Sequence, residues 1–187
     1  MEIAQIEDWI AIAAAVFGIV VAIKGLAEFR NSIAERRREL RWKKASTAKQ
    51  LIDEIRANGL AAAALKMLDW DGADFVKPDG TRSQPIHASE RRKQLRVKDA
   101  YFSDDDEPDA IFVRDCFDRL MEDVSLIENY IKIGLIDFAD VEPFFRYYAE
   151  LAAEREERAC LAPFARQYGY QPFLDFCDRF VPAGPKA

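Results

Sequence analysis

Fifteen consecutive residues without a charge, Trp9 to Ile23, constrain this chain more than any other feature. In water such a run must be buried, and in a bilayer it must be helical, because lipid offers no partner for an open backbone. Lys24 interrupts it, and Gly25-Leu26-Ala27 carries it on. With Lys24 extended toward the headgroups, 9–27 covers ~28 Å at ~1.5 Å per residue, close to the hydrocarbon thickness of ~30 Å. The run predicts one transmembrane helix over 9–27, behind a short extracytoplasmic N-terminus, 1–8. Trp9, Lys24 and Arg30 are its interface residues. The competing reading is a helix buried within a soluble fold.

Charge sets the orientation. Residues 1–8 hold Glu2, Glu7 and Asp8 and no base, a net of −3. Residues 24–49 hold nine Lys or Arg and three Glu, a net of +6, within a chain whose total is −6. The bases follow the apolar run, which argues against a cleaved signal peptide and for a cytoplasmic C-terminal side. The predicted location is an inner membrane, crossed once. Within the run, Ala11, Ala15, Gly18, Ala22 and Gly25 are spaced 4-3-4-3. Small residues at that period let helix backbones approach closely, so this face is the candidate oligomerisation surface.

Beyond the anchor the pattern is helical almost throughout. No strong breaker precedes Asn58-Gly59, so 28–58 is expected to be a basic stalk helix with Phe29, Ile33, Leu40, Leu51 and Ile55 along one stripe. Residues 59–180 are expected to form a cytoplasmic helical bundle, with 181–187 as a tail. A small hairpin is expected near 74–84 around Pro78-Asp79-Gly80. Ser89 is the expected N-cap of a basic helix reaching about Ala100. The strongest period, 4-3-4-3-4, runs through Val113, Phe117, Leu120, Val124, Ile127 and Ile131, with Gly134 as its stop. Later helices are expected from about Asp140, over Ala159–Tyr168 and over Pro172–Phe180. Eleven of the 22 aromatics fall between Phe138 and Phe180, and their helical spacing marks them as core.

The three cysteines lack metal spacing, and their odd number argues against a disulfide framework. A single histidine, His87, must serve any histidine-dependent catalysis. The spacing Arg82-x-x-x-x-His87 resembles the R-x4-H signature of HEPN-type ribonucleases, in which Arg and His from paired helical protomers act on a 2′-OH and its phosphate. That resemblance makes Arg82 and His87 the catalytic candidates. Arg91, Arg92, Lys93 and Arg96 form a second basic run suited to a phosphate-bearing ligand. Asp69-x-Asp71-Gly72-x-Asp74 and Asp104–Glu107 lack EF-hand spacing, so no metal site and no cofactor are expected.

The strings Leu65-Lys66-Met67-Leu68-Asp69-Trp70, Arg114-Asp115-Cys116-Phe117-Asp118 and Ile131 to Asp137 resemble a bacterial family of small, membrane-anchored helical proteins of unknown function. In layout the chain is also similar to membrane accessory proteins of RNA-targeting CRISPR systems, which pair one anchor with a HEPN-like domain. The first expectation is a mainly α, membrane-anchored module without evident catalysis, acting through self-assembly and an unknown protein partner. The alternative is an oligomeric pore or effector whose domain senses or cuts RNA. A nucleotide or nucleic acid is the less favoured partner.

Overall fold

The computed structural model describes residues 3–97 and 108–180; within the first helix the side chains of 3–16, 19, 20 and 22 are not described. The described chain is mainly helical, and it divides into two units, Met1–Lys43 and Lys44–Ala187.

Helix α1 runs unbroken over Ile3–Ala57. Ala, Leu, Glu, Lys and Arg dominate its second half, and all are strong helix formers. Pairs at i, i+4 add a little support: Lys24–Glu28 at 3.9 Å, Glu39–Lys43 at 2.6 Å, and Lys49–Asp53. The expected span is not found: among the described residues no helix is long and apolar enough to cross a membrane. The charge-free run is only fifteen residues, where a span needs ~20. Extending it takes in Lys24 and then Glu28, which lie exposed and paired with each other. Most side chains of the run itself, Trp9, Ala11, Ala15 and Ala22 included, lie outside the described residues. Gly18 and Gly25 face open space.

The second unit is a helical bundle. Its elements after α1 are α2 (Gly59–Asp69), α3 (Ala88–Gln94), α4 (Pro108–Lys132), α5 (Phe138–Ala153), α6 (Arg155–Gln167) and α7 (Gln171–Asp178). The break at Asn58-Gly59 is where the sequence placed it, with the roles exchanged. Asn58 caps α2, its Oδ1 accepting from the backbone N–H of Leu60 at 3.0 Å and Ala61 at 3.2 Å, and Gly59 is already helical. Between α2 and α3, two isolated antiparallel bridges, Ala73–Ile86 and Val76–Arg82, realise the expected hairpin without forming a strand. Helix α3 is shorter than expected, and its N-cap position falls at His87, not Ser89, without a side-chain capping bond from His87. The loop 98–107, including Asp104–Glu107, lies outside the described residues.

Helix α4 is central, with α2 and α7 packed on it. Its inward stripe holds Val113, Phe117, Leu120, Val124 and Ile127, all at most 2% exposed. Gly134 adopts φ +75°, a conformation an L side chain resists, and lets Leu135 N–H reach back to Tyr130 O at 2.9 Å. Helix α5 begins at Phe138, slightly before the expected Asp140, and Pro143 sits inside it. The aromatic half of the chain closes the core. Phe176 meets Phe138, Phe145 and Phe180 edge-on, with ring centroids 5.2–6.1 Å apart.

Candidate functional site

The catalytic candidates fall in the bridged segment. Arg82 stands in the Val76–Arg82 bridge and reaches Asp74 at 2.6 Å. His87 stands at the start of α3 with Nδ1 3.5 Å from Asp71. Pro85 and Ile86 between them are not helical, so the R-x4-H spacing does not lie on a helix here. Each carboxylate serves a local bond. Asp71 is held below the usual carboxylate range first by the Ala88 backbone N–H, which it accepts at 2.6 Å, and then by His87. Arg82 does the same for Asp74. Asp69 accepts from the Tyr147 hydroxyl. The three aspartates are thus spent on three different partners. Among the described residues no group of three or more His, Cys, Asp or Glu could hold a metal.

The basic run of α3 is divided by the fold. Arg91 is 3% exposed, and its guanidinium meets Glu157 of α6 at 2.6 Å. Arg92 contacts the same carboxylate oxygen at 2.9 Å and Glu156 at 3.1 Å. Lys93 and Arg96 remain at the surface. Two of the four candidate phosphate ligands are therefore the bolts that fix α3 to α6. Sequence reading missed this because Glu157 lies 66 and 65 residues downstream of them.

A different surface stands out on α1. Leu26, Phe29, Ile33 and Leu40 are 62%, 61%, 36% and 60% exposed. They fall 3, 4 and 7 residues apart, which places them on one helix face. Ala48, Leu51 and Ile55 continue the same face, and there Ala48 and Ile55 are at most 2% exposed. Arg36, Arg37, Arg38 and Arg41 border the exposed stretch, with Trp42 beside them 69% exposed. Among the described residues no carboxylate lies within ion-pair distance of those four arginines, though Glu39, paired with Lys43, also feels Arg36 at longer range.

The second unit carries a groove between the last turns of α1 and the middle of α4. Leu51, Glu54, Arg119, Asp123 and Leu126 line it, around a volume of about 80 Å³. Glu122 lies exposed beside it, and Arg119 reaches Glu122 at 3.1 Å and Asp123 at 2.8 Å. Burial pushes the Asp123 carboxyl up, Arg119 opposes this, and Glu122 and Glu54 push the same way as burial. The sequence signal for this face is that Arg119, Glu122 and Asp123 fall off the apolar stripe of α4. No family model matches the chain, and no curated protein or solved structure is detectably similar to it.

Proposed function

We propose that this protein is a non-enzymatic helical module that works by self-assembly, with α1 as its assembly element and the bundle as the folded body it gathers. The observation that carries the reading is the exposed stripe Leu26, Phe29, Ile33 and Leu40. A water-exposed row of four large apolar side chains at helical spacing is costly unless a partner covers it. The same face is buried further along the helix, at Ala48 and Ile55, so its apolar character is that of a packing surface. The small-residue face at Gly18 and Gly25, open in the structure, supports close helix approach upstream.

The reading includes attachment to a lipid bilayer through the run 9–23, supported by its lack of charge and by Lys24 and Arg30 beyond it. Nothing in the bridged segment favours the RNA-cutting alternative, since Arg82 and His87 are engaged by separate carboxylates.

Light scattering of the full chain, extracted with and without mild detergent, tests both parts. A defined oligomer is expected, and Leu26→Ser, Phe29→Ser, Ile33→Ser and Leu40→Ser together should reduce it to a monomer. A monomeric wild-type chain overturns the assembly reading. Full recovery in the aqueous fraction without detergent overturns the bilayer attachment.

A further inference from the structure

We propose that the basic segment Arg36–Lys43 of one copy docks in the groove between α1 and α4 of a second copy, so that assembly joins two unlike surfaces. This rests on the self-assembly reading and names the surface that α1 meets.

The two surfaces complement each other in kind. The groove and its rim present Asp53, Glu54, Glu122 and Asp123 beside Leu51 and a half-exposed Leu126. The bases within reach are Lys49, taken by Asp53, and Arg119, shared by Glu122 and Asp123. Four acids against two bases leave this face two negative charges in excess. Desolvation already presses on Asp123, so a cation laid over it relieves a cost. The basic segment supplies the opposite inventory. Arg36, Arg37, Arg38 and Arg41 have no carboxylate within ion-pair distance among the described residues, Glu39 acting on Arg36 only at longer range, and Leu40 between them and Trp42 just beyond are exposed.

A parallel, in-register pairing of α1 with α1 would set this arginine cluster against its own copy, and like charges at an interface are unfavourable. Pairing basic helix with acidic groove avoids that repulsion. Such an interface is heterologous, so each copy offers one free surface of each kind and the assembly closes as a ring or extends.

The test uses two triple charge reversals in the full chain: Arg36→Glu with Arg37→Glu and Arg38→Glu, and Glu54→Lys with Glu122→Lys and Asp123→Lys. Each variant alone should lose association by about tenfold or more, and an equimolar mixture of the two should regain the wild-type mass. Raising salt to about 0.5 M should weaken wild-type assembly, because screening shortens the reach of exposed charges. Unchanged melting of each variant by circular dichroism separates lost docking from lost folding; for a variant that unfolds, the milder Glu54→Gln with Glu122→Gln takes its place and should weaken association in the same direction. If wild type assembles, the stripe-to-serine variant does not, and both charge reversals assemble normally, this inference falls and the self-assembly reading stands. It also falls if the mixture fails to reassemble, or if the arginine reversal changes only binding to phosphatidylserine vesicles. If wild type is monomeric, both fall together.

Discussion

Glu128 and Arg179 meet as a two-pronged ion pair, with both nitrogen–oxygen contacts at 2.8 Å. The carboxylate is 1% exposed and the guanidinium side chain 35%. The pair ties the C-terminal end of α4 to the residue that ends α7, and Lys132 stands by at 3.7 Å. Removing the arginine strands a buried charge, which costs more than the pair contributes while intact.

Arg179→Ala is therefore expected to lower unfolding stability by about 2–3 kcal/mol, less than for a fully buried pair because the guanidinium is partly solvated. Adding Glu128→Leu should recover most of the loss. Urea denaturation of the single and double variants measures both, and a double variant no more stable than Arg179→Ala would contradict the account.

Phe176 is the aromatic hub of the core, touching Phe138, Phe145 and Phe180. Phe176→Ala should cost about 3–5 kcal/mol, while Phe176→Leu keeps most of the volume and loses less. Equal losses in the two variants would show that the ring contacts, not the filled space, carry the stability.

Gly72 adopts φ +74°, and a Cβ there would lie 2.8 Å from Cε1 of His87. Gly72→Ala should destabilise by about 1–2 kcal/mol, from backbone conformation and from displacing a ring that faces Asp71. The ring can swing away, so His87→Ala should remove only part of that cost, leaving the backbone share. A thermal-melting double-mutant cycle reads the coupling between the two positions.

Burial raises the Asp115 carboxyl, with Asp118 adding to the shift. Its folded-state pKa lies above its unfolded one, so it is neutral in both states at low pH and carries its penalty above the folded pKa. Asp115→Asn should raise the melting temperature at pH 7, and the gain should shrink as pH falls through the carboxylate range. A gain that grew toward acid would have the wrong sign for this explanation.

Elements with a local cause could be read from the sequence. Helix α4 followed from its 4-3-4-3-4 period, its end from Gly134, the hairpin from Pro78-Asp79-Gly80, and the break after α1 from Asn58-Gly59. What could not be read depends on partners distant along the chain. Arg91 and Arg92 look like an open basic run until Glu157 is brought beside them. His87 stands out in the sequence only by its spacing from Arg82; that it sits at the N-cap position of α3 beside Gly72 depends on the turn that brings the two together. The groove drew on α1 and α4, whose facing residues are about seventy positions apart. The expected span fails for a different reason: it needs Lys24 to reach past the apolar run, and without Gly25-Leu26-Ala27 beyond it the fifteen charge-free residues are too few.

The three thiols differ in access. Cys116 lies at 0% exposure with its thiol pushed far up by burial, and Cys177, 6% exposed, is pushed up to about 12. Since the thiolate is the reacting form, both are silent toward alkylating reagents while the fold stands. Cys160, on α6, is partly open. The native chain thus carries one addressable handle for a fluorophore or spin label beside the Arg92–Glu156 contact. The two sealed sulfurs become labelled only when the bundle opens, so the rate of their modification clocks its breathing without any engineered residue.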